Sequence, residues 1–350
     1  MSSSRLLNVN SGTCRESPNA SQWGLGGLRP VTGEVSVIIP THDRCASLID
    51  TLRGLDRQSL PADRFEVIVG VDGSSDGTTE ALSELAPRLP FRLRWAQIPA
   101  AGSGAARNAA ARLASTELLV FLDDDQEAST ELLAVHAARQ REAAALVQGN
   151  YPTAAIYAHG GVALLYDRTL RGALSRMAAG RRPYLLWGGN FSVPRAVWDR
   201  VGGFDESFPR SQDTDFGLRV AATGIRIVME PRALSWHRYV CPYPAFPRQM
   251  FEEGRSVVRL AKKHGLPEQL FLDTRLRAAD RVLIAAWRRQ PSVMRALGRL
   301  AVLSLRTADR LPLPPVQVTA ARTVRRFYRL GGMASVSGNG ASLEPTARPA

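Results

Sequence analysis

Lysine is almost missing from this chain: of its 45 basic residues, only Lys262 and Lys263 are not arginine. Cysteine is equally scarce. Cys14, Cys45 and Cys241 are scattered, odd in number and without metal-ligand spacing. That excludes a disulfide framework and favours a reducing, cytoplasmic setting. No apolar run reaches the roughly 18 residues of a membrane span; the longest are broken by arginines or by Pro291. A membrane-channel polymerase is therefore disfavoured. Met1–Gly33 is rich in Ser, Gly, Asn and Pro and has no apolar core of the kind a secretory signal requires. No internal repeat is present.

What remains is ordinary globular material. The chain has 350 residues, 45% of them hydrophobic, enough for one large or two modest domains. The net charge is +13 and unevenly placed: 18 basic residues against 6 acidic ones lie between Arg248 and Leu330. Such a segment suits a solvated helical surface, an anionic membrane face or an anionic acceptor. Without an aromatic stacking platform beside it, nucleic acid is not an expected partner.

Val35–Pro40, Phe65–Val71, Arg92–Ile98 and Glu117–Leu122 read as strands of the buried type. Between them lie helical spacings over 45–57, 78–89 and 103–113. This alternation predicts βαβ units and an α/β fold, a mostly parallel Rossmann-like sheet flanked by helices. Later elements are a helix over 130–144, a strand over 146–150, a helix over 160–179, a helix over 213–222 and a strand over 225–230. Helices over 248–264, 273–289, 292–307 and 316–329 follow. The expected organisation is a disordered leader (1–33), a core domain (34–245, divided at 128/129), a basic helical extension (246–330) and a disordered tail (331–350).

In open α/β sheets, ligands bind beyond the carboxyl ends of the strands. There the sequence places Thr41-His42-Asp43-Arg44, Asp72-Gly73-Ser74-Ser75-Asp76-Gly77 and Asp123-Asp124-Asp125. If the strand continued through the triplet, Asp123 and Asp125 would share one face and Asp124 the other. Two hard carboxylates on a sheet rim suit Mg²⁺ or Mn²⁺ that also binds phosphate oxygens; an acidic turn is the plainer reading. Asp72 stands where a carboxylate can accept from a base or ribose, and Asp76 is expected to cap the helix beginning at Thr78. Asp215 fits either a second acceptor-site carboxylate or a helix first-turn charge. Trp187 and Trp236 suit sugar stacking or packing, and Arg181-Arg182 a solvated loop.

Six segments in order, VSVIIPTHDR, VGVDGSSDGT, GSGAARNAA, VFLDDD, WGGNFSVPRAVWDRVGGFDE and SQDTDFGLRV, resemble family 2 glycosyltransferases. The resemblance runs from Glu34 to His237 and implies a GT-A fold over 34–245. The last two segments also resemble the acceptor half of polypeptide N-acetylgalactosaminyltransferases. It implies that Pro40, Thr41 and Asp43 cradle the nucleoside, that Asp72 bonds the base, commonly uracil, and that Arg107 lies near the diphosphate. By the same match, Asp123 approaches ribose and sugar, Asp125 binds the metal, and His237 approaches the metal or diphosphate. Gly188, Gly189 and Asn190, beside Trp187, match the loop lining donor sugar and acceptor, and Asp213 matches the general base. Two departures stand out: Val71 precedes Asp72 where Asp is frequent, and Gln212 stands where Glu is common, so acceptor orientation differs while the base is retained.

The implied function is an inverting transfer from a nucleotide sugar, first of all a UDP-sugar, to a hydroxyl of a glycan or lipid-linked acceptor. The implied cofactor is Mn²⁺ or Mg²⁺. The expected place is the cytoplasm, at or near the inner membrane face, in cell-envelope synthesis. A sugar-phosphate nucleotidyltransferase would need a Gly-rich basic loop after the first strand, and PTHDR is not one. An inactive carbohydrate-binding scaffold is hard to reconcile with Asp72, Asp123, Asp125 and Asp213 all being present.

Overall fold

The computed structural model describes residues 34–142, 145–179, 186–272 and 275–336. The expected leader, Arg181-Arg182 and residues 337–350 lie outside them. Eight strands form one continuous order, β3-β2-β1-β4-β7-β6-β8-β5. They are β1 (Val35–Thr41), β2 (Phe65–Asp72), β3 (Arg92–Ile98), β4 (Leu118–Leu122), β5 (Gln126–Ala128), β6 (Leu146–Asn150), β7 (Asn190–Pro194) and β8 (Ile227–His237). The first four are mutually parallel, as βαβ connections require. Beyond β4 the sheet is mixed: β7 is antiparallel to β4 and β6, while β8 is parallel to β6.

Strand alternation explains why both faces are covered. Val35, Val37 and Ile39 of β1 point into one core with Val67, Val69, Val120 and Leu122. That core is closed by α1 (Cys45–Leu55), α2 (Thr78–Leu85) and α4 (Leu132–Glu142). Ile38, Ile68, Leu119 and Phe121 point the other way, against α3 (Ser103–Leu113), α6 (Arg195–Val201) and α7 (Gln212–Ala222). Phe121 stacks on Phe191 at 4.6 Å and on Trp198 at 4.7 Å.

The strand expected over 225–230 instead runs to His237, because the short β5 pairs along its outer edge, Gln126 opposite His237 and Ala128 opposite Ser235. Asp76 serves two helices: it accepts from the hydroxyl and amide of Thr78 at the start of α2, where a cap is expected, and also from the Cys45 amide at 2.8 Å in the first turn of α1, with Gly77 left-handed beside it.

The second layer joins α5 (Gly160–Ala178) to α8 (Ala245–His264), α9 (Ala278–Arg289), α10 (Pro291–Ala308) and α11 (Pro314–Val336). Asp215 ties α7 to α8. It is fully buried and meets Arg219, Lys263 and His264 at 2.8, 2.6 and 2.9 Å. The helix expected to end near 329 continues to Val336, and Gly331, Gly332, Met333 and Ala334, assigned to the tail, are buried in it. The reason is a close crossing of α11 and α8. A Cβ on Gly254 would lie 2.0 Å from the Arg329 carbonyl oxygen, and one on Gly332 only 1.9 Å from that of Phe251. The helix must therefore extend far enough to seat Gly332. Gly332→Val is expected to destabilise the fold by about 2 kcal/mol or more through overpacking, read as a lower urea midpoint; an unchanged midpoint would remove this contact as a constraint.

Candidate active site

A cleft of ≈ 560 Å³ opens at the carboxyl ends of β1, β2 and β4 and continues between α5, α8 and α11. Its floor is the turn after β4. The chain leaves the strand at Leu122, and the Gln126 amide bonds back to the Asp123 carbonyl. Strand alternation therefore does not extend through the triplet. Asp124 is not on the opposite side from Asp125: Arg44 reaches both, Nη1 to Asp124 at 3.0 Å and Nη2 to Asp125 at 2.7 Å. Asp123 instead pairs with Arg107 on α3 at 2.5 Å.

His237 arrives through β5, whose first residue follows Asp125 directly. The β5–β8 pairing and the Arg238 amide, 2.9 Å from the Asp125 carbonyl, bring the imidazole Nε2 to 3.1 Å from Asp125 Oδ1. Around the ring stand Tyr151, Tyr166 and Tyr239 at centroid distances of 5.9, 5.1 and 5.3 Å. Burial alone would raise the Asp125 carboxyl, but His237 and Arg44 hold it well below the usual range. Asp124 goes the other way, since burial outweighs Arg44 and its carboxyl is pushed up.

Asp125 Oδ1 is buried, with His237 Nε2 3.1 Å away but no donor aligned on it as a hydrogen bond. An acceptor oxygen and an imidazole nitrogen side by side are a donor set suited to a divalent cation. No group of three His, Cys, Asp or Glu suited to a metal occurs among the described residues. A cation here would take two protein ligands and complete its shell with diphosphate oxygens and water, as Mg²⁺-type sites commonly do.

Across the cleft, Asp213 sits in the first turn of α7. Its Oδ2 accepts the Gly188 amide at 3.0 Å and its Oδ1 the Thr214 amide at 2.8 Å. Burial raises its pKa, only partly offset by these amides, Arg107 and Arg210. Gly189 closes the turn from the other side: its carbonyl accepts the Asp123 amide at 3.2 Å, and a Cβ there would stand 2.8 Å from the Tyr151 ring.

Residues 36–158 match the family described as Glycosyl transferase family 2, and residues 118–286 match Glycosyl transferase family group 2. The chain belongs to the family 2 glycosyltransferases. It is 34% identical over 222 residues to validoxylamine A glucosyltransferase of Streptomyces hygroscopicus subsp. jinggangensis, covering 55% of this chain and 52% of that enzyme. It is 30% identical over 223 residues to the O-antigen biosynthesis protein RfbC of Myxococcus xanthus, covering 57% of this chain and 17% of that protein. The chain thus spans about half the length of the first relative and far less of the second. In fold it is similar to the mannosyltransferase PcManGT of Pyrobaculum calidifontis, solved with GDP-Man and Mn²⁺. The TM-score is 0.60 at 20% identity, over 91% of this chain and 92% of that one.

Most of the expected site residues converge on the cleft: Pro40, Thr41, Asp72, Arg107, Asp123, Asp125, Trp187, Gly188, Gly189, Gln212, Asp213 and His237 all line it. Thr41 donates to Asp124 at 2.8 Å. Asp72 lines it with its oxygens engaged by the amides of Ala101 and Gly102, which fixes the loop before α3. Gln212 bonds Ser103 at 2.5 Å and so links α7 to α3. Asp43 is not among the lining residues; in left-handed conformation, it binds the Ser75 amide at 2.7 Å and clamps the neighbouring loop. Trp236 does not line the cleft either, and Asp215 is occupied by Arg219, Lys263 and His264. Arg44 and Tyr166 line it without having been singled out. Arg44 was legible only as the last letter of PTHDR; nothing in the sequence shows that it turns toward residues 80 positions later.

Asn190 is a clear correction. Its side chain is fully buried, donating to the Ala233 carbonyl at 3.0 Å and meeting His136 Nε2 at 2.9 Å. It holds β7 to β6 and β8 and supports the Gly188-Gly189 turn from behind. His136 completes this network through Ser192 at 2.9 Å, and burial lowers its pKa from 6.5 to about 4. The unfolded chain therefore binds a proton that the folded one refuses, and stability falls as pH drops from about 6.5 toward about 4. The loss should approach ~3 kcal/mol, measured by urea unfolding at pH 7 and pH 4.5, and His136→Gln should flatten it. Equal pH dependence in variant and parent would overturn the assignment.

Proposed function

We propose that this chain is an inverting, metal-assisted glycosyltransferase that moves a sugar from a nucleotide diphosphate sugar to an acceptor hydroxyl. The observation that carries this reading is the placement of Asp213. It faces the acidic turn across one cleft, fixed by two amides, with Arg107 linked to Asp123 between them. A carboxylate raised by burial is a stronger base than a solvated one.

In the transfer, the acceptor oxygen forms its bond to the anomeric carbon as Asp213 takes the hydroxyl proton. The bond from that carbon to the diphosphate oxygen breaks, and its electron pair leaves with the nucleoside diphosphate. Attack opposite the leaving group inverts the configuration. Arg107 and Arg44 place positive charge where the diphosphate develops negative charge. Asp125 and His237 would hold Mn²⁺ or Mg²⁺, which supplies Lewis-acid stabilisation of the leaving group when bound. The mannosyltransferase of similar fold was solved with GDP-Man and Mn²⁺, which supports a nucleotide-sugar donor and a divalent cation. A UDP-sugar is the first candidate from the match at Asp72.

For the acceptor we propose a glycan or lipid-linked glycan of the cell envelope, in keeping with the O-antigen relative. The inner arm of the cleft adds Arg210, Arg325 and Arg329. Arg325 is depressed to about 10, first by burial and then by Arg329, partly offset by Glu253. That chemistry suits an acceptor with a phosphate or carboxylate.

Asp213→Asn is expected to lower kcat by about a thousandfold while nucleotide-sugar affinity, read by calorimetry, stays within a few-fold. Unchanged turnover would remove Asp213 as the base. In the parent enzyme the acid limb of kcat against pH should lie above that of an ordinary carboxylate. Asp125→Ala should abolish the Mn²⁺-dependent part of donor binding; equal donor affinity with and without Mn²⁺ in the parent would remove the metal assignment.

A further inference from the structure

The outer face of the helical layer has a different character from the cleft. On α10, Val293, Leu297, Leu300 and Leu303 are 52, 47, 62 and 58% exposed. Their spacing of four, three and three residues puts them in one row along the helix. The same helix carries Arg295, Arg299 and Arg306 and no acidic residue. Beside the row, α8, α10 and α11 enclose a groove of ≈ 660 Å³, walled by Phe251, Trp287, Val302 and Tyr328 and rimmed by Arg248, Arg295, Arg299 and Arg306.

We propose that this face docks on an anionic lipid bilayer, the leucine row entering the acyl boundary and the groove accepting part of an anionic lipid. An exposed aliphatic row with flanking arginines is the pattern of an interfacial helix, whose guanidinium groups reach back to the phosphates. Charge selects the occupant. A second copy of this chain would set arginine rows against each other, in a protein whose net charge is already +13. No described helix is long and apolar enough to cross a membrane, so the contact is one of surface docking. The groove and the catalytic cleft share walls: Arg248 and Phe251 of α8 face the groove, while Gln249, Met250 and Glu253 face the cleft. Docking therefore brings the inner arm of the cleft next to the lipid surface. The proposal does not depend on the transferase reading, because the test uses no sugar.

The test is co-sedimentation of the full chain with vesicles of phosphatidylcholine alone and of phosphatidylcholine with phosphatidylglycerol. Binding is expected only to the anionic vesicles and should weaken as salt rises. Replacing Arg295 and Arg299 by Gln should weaken it about fivefold per arginine. The Leu297→Asp, Leu300→Asp double variant should reduce it at least about tenfold, with the melting temperature unchanged because both positions are exposed. Equal binding to the two vesicle types, no binding to either, or full binding by the leucine variant would overturn the proposal. A concentration-dependent dimer in the parent that the leucine variant loses would overturn it too, assigning the face to a second copy.

Discussion

Three consecutive carboxylates in a largely buried turn are the constraint on which this cleft depends. Left alone, the three charges would repel one another, and burial would penalise them. The fold answers with two arginines and an imidazole drawn from distant parts of the chain. Arg44 comes from the loop after β1, Arg107 from the middle of α3 and His237 from the last residue of β8. Each depends on its element being in place: β1 beside β4, α3 across the sheet, β5 paired to β8. The acidic turn and the strand order are thus two descriptions of one requirement. A nucleoside diphosphate entering the cleft would meet the same two arginines, and its charge would then share Arg44 and Arg107 with the carboxylates.

The parallel half of the sheet was legible because its strands are buried on both faces. VSVIIP and FEVIVGV are apolar throughout, and turn chemistry marks their ends. The later half was harder for physical reasons. β5 has three residues, too few for any periodicity, yet it extends β8 to His237 and sets the histidine beside Asp125. The inference about Asp124 failed at one point: alternation holds only while the backbone stays extended, and the chain turns at Asp123. Asn190 was legible as part of a site motif, but its role is read only from the partners that bury it. Asp43 shares this history, as does the bond that Asp76 accepts from Cys45, since a short carboxylate in a loop serves whichever amide the tertiary fold brings to it, and in both cases that amide lies about thirty residues away.

The basic C-terminal segment looked uniform in sequence, and the structure divides it. Arg325 and Arg329 line the cleft, where Glu253 meets Arg329 at 3.4 Å and is held below its usual range by both. Arg295 and Arg299 stay outside beside the leucine row. The division follows helix geometry. On α11, positions four apart share the face packed on α8 and α5. On α10, only Met294, Gly298, Leu305 and Ala308 are buried, so the remaining circumference is left to solvent or to another phase.

The near absence of lysine then takes on structural meaning at particular positions. Arg44 spans two neighbouring carboxylates with two different nitrogens, and Arg219 divides its donors among Asp215 and the carbonyls of Val201 and Gly203. A guanidinium offers five donors in a fixed plane, whereas an ammonium is a compact point charge. Replacing Arg44 by lysine would keep the charge but lose the simultaneous reach to Asp124 and Asp125, returning the repulsion that the arginine offsets. Lys263 shows the complementary case. It sits 2.7 Å from Asp205 and 2.6 Å from Asp215, two carboxylates that converge closely enough for one small cation to serve both.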